Sequence, residues 1–139
     1  MTDQLFTFLF SDLAIDDVSN LEGECPDSDV CTFEEDLCSW LNAQNGVLDE
    51  FDWLRNSGAT PSIGTGPDID HTLGTPNGYY LYIEASDAIK TGDKAWLISE
   101  HFDSGPHCLV FWYHMYGNHI GTLSAYTRIG TSKPQLEWR

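Results

Sequence analysis

The chain has 139 residues, enough for one ordinary domain and short for two, and its 41% hydrophobic fraction can supply a core. Six Lys and Arg stand against twenty-two Asp and Glu, and a net charge of −16 opposes binding to phosphate backbones or anionic lipid. Nucleic acid and direct membrane contact are therefore excluded as expected partners, whereas a hard cation such as calcium, which takes oxygen ligands, suits the surplus of carboxylates.

In chain order, the opening LFTFLF is apolar but only six residues long, is flanked by Asp3 and Asp12 and lacks a basic start, so it does not read as a secretion signal. If the protein is extracellular, its signal is expected to lie outside this chain. Leu5 to Phe10 and Leu13 to Val18 read as strands, and the acidic, proline-bearing CPDSDV that follows reads as a linker. Glu34 to Leu41 is the only stretch with room for a turn or two of helix. Further strands are expected at Tyr79 to Glu84, Ala95 to Ser99, Cys108 to Tyr116 and Thr122 to Ile129, all rich in β-branched and aromatic residues. Turn formers such as GTGPD, GTPNG, KTGDK and DSGPH separate them. Short strands punctuated in this way predict an all-β antiparallel sandwich. In CLVFWYHMYG, alternation puts Leu109, Phe111, Tyr113 and Met115 on one face and Val110, Trp112, His114 and Tyr116 on the other. Bulky residues on both faces predict a central strand covered on both sides.

The four cysteines, at positions 25, 31, 38 and 108, form no C-x-x-C pair, which favours disulfides and an oxidising compartment over a zinc ribbon or redox site. No G-x-S-x-G or H-E-x-x-H supplies a hydrolytic centre, and the five histidines are scattered. No catalytic residue is assigned. The acids are more informative. Asp68 and Asp70 in GPDIDHT alternate along an extended segment and so face one side. Asp16 and Asp17 end an apolar strand, where a carboxylate turns inward only if it is paired or ligates a cation. The aromatic set from Phe51 and Trp53 to Trp112 and Tyr113 reads first as core, and second as rings for stacking sugars.

These residues resemble a known family, the MAM domain of meprins, neuropilins and receptor tyrosine phosphatases of the mu type. Its opening pattern is matched by CTFEEDLCSW, and DEFDWLR, TGPDIDHT, GYYLYIE, KAWLIS and CLVFWYHMYGNHIGTLSAY follow in the family's order. The resemblance covers residues 31–139 as the first two thirds of a MAM domain, ending near a leucine-tryptophan strand at Leu136 to Trp138. FSDLAIDDVSNLEGEC, by contrast, resembles the end of one. The expected division is thus residues 1–25 as a closing tail, 26–30 as a linker and 31–139 as an opening, with a jelly-roll-like sandwich that is incomplete or permuted.

The resemblance implies further expectations. Glu34, Asp36, Asp70 and Asp17 would surround a structural calcium ion, with Asp16 and Asp68 behind them. Cys31 would bridge Cys38, and Cys108 would pair with the domain's final cysteine, a place that only Cys25 can take here. The implied function is a non-catalytic extracellular module for adhesion or protein–protein interaction, whose partners are other copies of the same ectodomain or neighbouring extracellular domains. A calcium-dependent carbohydrate-binding module and the accessory domain of a secreted protease are the alternatives.

Overall fold

In the computed structural model of the chain, the described residues are 2–9, 13–22, 30–84, 89–103, 105–117 and 121–139. Among them no helix forms, so none is long and apolar enough to cross a membrane. Nine strands form two sheets: β1 (Thr2–Leu9), β2 (Leu13–Glu22), β3 (Leu41–Asn42), β4 (Leu54–Ser57), β5 (Tyr79–Ile83), β6 (Ala95–Ile98), β7 (His107–Met115), β8 (Thr122–Ile129) and β9 (Gln135–Trp138). One sheet has the order β3-β6-β1-β8-β9 and the other β4-β5-β2-β7, and every strand pairing is antiparallel.

The first two strands take interior places in the two sheets. Leu5 of β1 lies opposite both Ile98 and Tyr126, and Ile15 of β2 lies opposite both Leu81 and Tyr113. After β2 the chain returns to it: Val18 and Cys31 exchange both backbone hydrogen bonds, at 3.0 and 2.8 Å. The sheets pack face to face because alternate side chains from each meet in one core. Leu13, Ile15, Leu81 and Ile83 come from one sheet, and Ala95, Leu97, Leu123 and Ala125 from the other. Phe33, Trp40 and Trp53 complete this core, and the Asn42 side-chain amide bridges to Trp53 by donating to its carbonyl (3.0 Å) and accepting from its N–H (2.9 Å).

Two expectations change, and one strand was not expected. Glu34 to Leu41 forms bends and a turn instead of helix; Phe33 and Cys38 have φ of 58° and 53°, in the left-handed region that no right-handed helix contains. Among the described residues β7 is terminal in its sheet, not central, and Trp112 and Tyr113 are 54% and 53% exposed. Its alternation was a true signal for faces: Leu109, Phe111 and Met115 pack against the core, while Trp112 and His114 line a groove outside. Bulk on both faces says nothing about the strand's lateral neighbours. β4, LRNS, has no β-branched residue, so its pairing to β5 rests on tertiary context rather than propensity. Of the linker 26–30, only Val30 lies within the described residues.

Candidate binding groove and the acidic clasp beside it

A bulge interrupts the pairing of β2 with β7 between Asp16 and Ser19, and Asp17 there has φ of 51°. The extra residue re-aims the side chains around it. Asp16, 4% exposed, accepts from the backbone N–H of Asp17 (2.8 Å), His71 (2.8 Å) and Thr72 (3.4 Å). Asp17 accepts from the Thr72 hydroxyl (2.6 Å) and pairs with Nδ1 of His71. Together the two carboxylates clasp residues 71 and 72, fifty-five positions away in sequence, onto the bulge. Burial pushes the Asp16 carboxyl up to about 6; the donated backbone hydrogen bonds oppose the shift without cancelling it.

Asp70, 3% exposed, shapes the next turn by accepting from the N–H of Leu73 and Thr75 (3.0 Å). Gly78 makes room for it: a Cβ there would lie 2.0 Å from the Asp70 carboxyl carbon. Asp68 is exposed.

Arg55 organises the opening motif. Its guanidinium donates to the carbonyl oxygens of Phe33 (2.6 Å) and Glu34 and lies 3.4 Å from the centre of the Tyr79 ring. The Glu34 carboxylate accepts from Tyr79 N–H (2.9 Å), and Asp36 accepts from Cys38 N–H (2.7 Å) inside the turn closed by the Cys31–Cys38 disulfide. The four acids expected around a calcium ion are thus placed as follows: Asp17 in the clasp, Asp70 in its own turn, Glu34 at the start of β5 and Asp36 beside the disulfide. Among the described residues no group of three or more His, Cys, Asp or Glu side chains is arranged to hold a metal. These carboxylates accept from amide, hydroxyl and imidazole groups of the chain. Cys108 is disulfide-bonded, and Cys25 lies outside the described residues, as does His119.

Beside the clasp lies a groove of about 470 Å³, with Ala14, Tyr80, Trp112 and His114 on its floor and Pro67 to His71 along its wall. The His71 ring stacks on Trp112 at 3.9 Å and 19°. Tyr80 hydroxyl donates to Gly58 O (2.6 Å) and accepts from the Asn56 amide (2.9 Å), while His114 Nε2 meets Thr65 O at 3.1 Å; these contacts hold the loop over the sheet. The aromatic residues thus divide. Trp53, Tyr80 and Tyr82 are buried, as the core reading predicts, whereas Trp112 and Tyr113 are more than half exposed. Sequence reasoning missed the clasp roles of His71 and Thr72 and the organising role of Arg55, although TGPDIDHT and DEFDWLR contained these residues.

A family model described as "MAM domain, meprin/A5/mu" matches residues 31–139. The chain belongs to the MAM domain family. MAM domain-containing protein 2 of Homo sapiens is 41% identical over 137 residues, covering 91% of this chain and 19% of that protein. Thyroid hormone-induced protein B of Xenopus laevis is 41% identical over 138 residues, 90% of this chain and 19% of its own length. MAM domain-containing glycosylphosphatidylinositol anchor protein 1 of Gallus gallus is 40% identical over 111 residues, 75% of this chain and 11% of its own length. The chain spans a fifth or less of these curated relatives, and no solved structure matches significantly. Coverage of 91% exceeds what residues 31–139 alone provide, so the likeness to the human relative takes in residues before Cys31.

Proposed function

We propose that this MAM chain is a non-catalytic extracellular module for adhesion or protein–protein interaction within a larger tandem-domain protein, with further copies of the same ectodomain or neighbouring extracellular domains as partners. The observation that carries this reading is the set of exposed aromatic residues Trp112, Tyr113, Tyr116 and Trp138 on a disulfide-bonded sandwich. Exposed aromatic rings are the usual anchors of protein contacts, and a disulfide fits the oxidising exterior. One relative is named as a glycosylphosphatidylinositol anchor protein, which supports a cell-surface setting. Beads coated with the oxidised chain are expected to aggregate or to capture neighbouring domains of the parent; beads that do neither reject the reading.

The reading includes a closed unit in which residues 1–25 serve as the sandwich's closing segment and Cys25 bridges Cys108. Support comes from the interior places of β1 and β2 and from the register of β2, whose Leu21 lies opposite Cys108. Peptide mapping of non-reduced monomer should recover a Cys25–Cys108 crosslink. It would close an 84-residue loop and stabilise the fold by about 4.6 kcal/mol on the chain-entropy account. Recovery of any other pairing rejects it.

Carbohydrate recognition is the second reading, favoured by the exposed Trp112 ring beside Asp68 in the groove. Its discriminating test is a glycan array with and without chelator, in which Trp112→Ala must abolish any signal.

A further inference from the structure

We propose that the groove beside the clasp takes an arginine side chain presented by a basic partner segment, with its guanidinium held by the Trp112 ring and the Asp68 carboxylate. The proposal rests on the interaction-module reading and names the chemistry of its partner.

The groove is built before anything enters it. Its wall, Pro67 to His71, is tied to the sheet where Asp16 accepts from His71 N–H (2.8 Å) and where the His71 ring stacks on Trp112. Gly66 lets the start of that wall lie against Thr60, since a Cβ there would come within 2.2 Å of the Thr60 hydroxyl oxygen. A wall fixed in this way loses little freedom when a ligand settles beside it.

What the groove offers is an apolar bed and one unengaged charge. Trp112 is 54% exposed and Ile69 47%, and His71 covers only one face of the indole. Of the three carboxylates that line the groove, Asp16 and Asp70 are buried and accept backbone N–H groups. Asp68 is exposed, and its carboxylate makes no hydrogen bond or ion pair among the described residues.

An arginine side chain matches both halves. Its aliphatic stem lies on apolar surface, while its planar head stacks on an aromatic ring and forks toward a carboxylate. The chain already makes the ring half of this contact within itself, where the Arg55 guanidinium lies 3.4 Å from the centre of the Tyr79 ring. Guanidinium brings donors and no acceptor, which suits a free carboxylate; a sugar presents hydroxyls that accept as well as donate. Net charge makes the same choice. None of the chain's six Lys and Arg lines the groove, and a charge of −16 draws a basic segment toward it while repelling a second copy.

The probe is the pentapeptide acetyl-Gly-Ser-Arg-Ser-Gly-amide, titrated into the oxidised chain while nuclear magnetic resonance follows the Trp112 indole and the Ile69 amide. A saturable shift of both signals is expected, weakened by added salt. The same peptide with citrulline for arginine keeps the shape without the charge and should bind at least about tenfold more weakly. Asp68→Asn and Trp112→Ala should each cost at least about tenfold in affinity for the arginine peptide, the latter read at Ile69. Glu35→Gln removes the same charge from an exposed acid outside the groove and should leave the affinity unchanged. Should Trp112→Ala lose its near-ultraviolet circular dichroism, Asp68→Asn and the citrulline peptide decide the matter.

No saturable shift at millimolar peptide, equal binding of the citrulline peptide, indifference to Asp68→Asn or equal weakening by Glu35→Gln overturns the proposal. A neutral trisaccharide that shifts the Trp112 signal where the arginine peptide does not gives the groove to carbohydrate and also overturns it. Beads that capture neighbouring domains equally well after Asp68→Asn remove this groove while leaving the interaction-module reading intact; beads of the unsubstituted chain that neither aggregate nor capture remove both.

Discussion

Residues 2–22 and residues 31–139 carry this molecule in opposite ways. The longer stretch holds every motif by which the family is matched, from CTFEEDLCSW to the β7–β8 pair, and supplies seven of the nine strands. Those seven are divided, however: β6 and β8 are neighbours only through β1, and β5 and β7 only through β2. The shorter stretch lies outside the family span and provides the two strands that make each set continuous. The region easiest to recognise is therefore not the one that completes the hydrogen-bonded ladders, because an antiparallel ladder depends on which strands lie side by side and not on their order in the chain.

The largest expected effect comes from separating the two regions. Residues 31–139 prepared alone should lose near-ultraviolet circular dichroism and a cooperative melt, since each sheet would be cut into unpaired parts with open edges. Adding residues 1–30 as a separate peptide should restore both. A sharp melt of residues 31–139 at the temperature of the full chain would break the comparison outright.

A smaller loss follows from opening the Cys31–Cys38 bridge, which lies wholly inside the longer region. These cysteines are seven positions apart, so the chain-entropy account assigns the bridge about 2.5 kcal/mol. Cys31→Ser with Cys38→Ser should lower the urea midpoint accordingly while the fold persists. A loss as large as that from removing β1 and β2 would mean that this turn, rather than the interior strands, holds the sandwich together.

Acid titration sharpens the contact between the regions. Burial holds the Asp16 carboxyl at about 6, above its ordinary 3.8, so the folded chain binds this proton more tightly than the unfolded chain does. Its contribution to stability is fully present below about pH 4 and is lost as pH rises through about 6. Compared with Asp16→Asn, the unsubstituted chain should therefore gain stability as pH falls from about 7 to about 4. Melting curves of the pair at both pH values read this directly, and a constant difference between them would show that the clasp is indifferent to that proton.

The smallest effect is expected from calcium. Asp17, Glu34, Asp36 and Asp70 each already accept hydrogen bonds from within the chain, which an ion would have to displace, so melting in millimolar calcium should exceed that in chelator only slightly. A clear rise in calcium would instead show that tail and opening acids converge on one ion, because only binding to the folded state raises stability.

Much of the fold was legible residue by residue. Thr122–Ile129 forms the strand that its alternation predicts, the other five predicted strands agree to within a few residues, and the even cysteine count anticipated the local bridge chemistry. These features depend on short-range properties: side-chain period, β-branching and turn formers act within a few residues. The candidate site was only half legible. Asp16 and Asp17 were singled out because an acid at the end of an apolar strand needs a partner, yet the partners, His71 and Thr72, lie fifty-five positions away, and TGPDIDHT marked their loop without showing which of its groups would bond these acids. The lateral order of the strands was likewise hidden. A residue's alternation tells which face it takes but not which strand lies beside it, so CLVFWYHMYG had the composition of an interior strand and became terminal among the described residues. Tertiary structure decided that β1 and β2 fill the interior of the two sheets, because backbone hydrogen bonds pair any strands that packing brings together, whatever their separation along the chain.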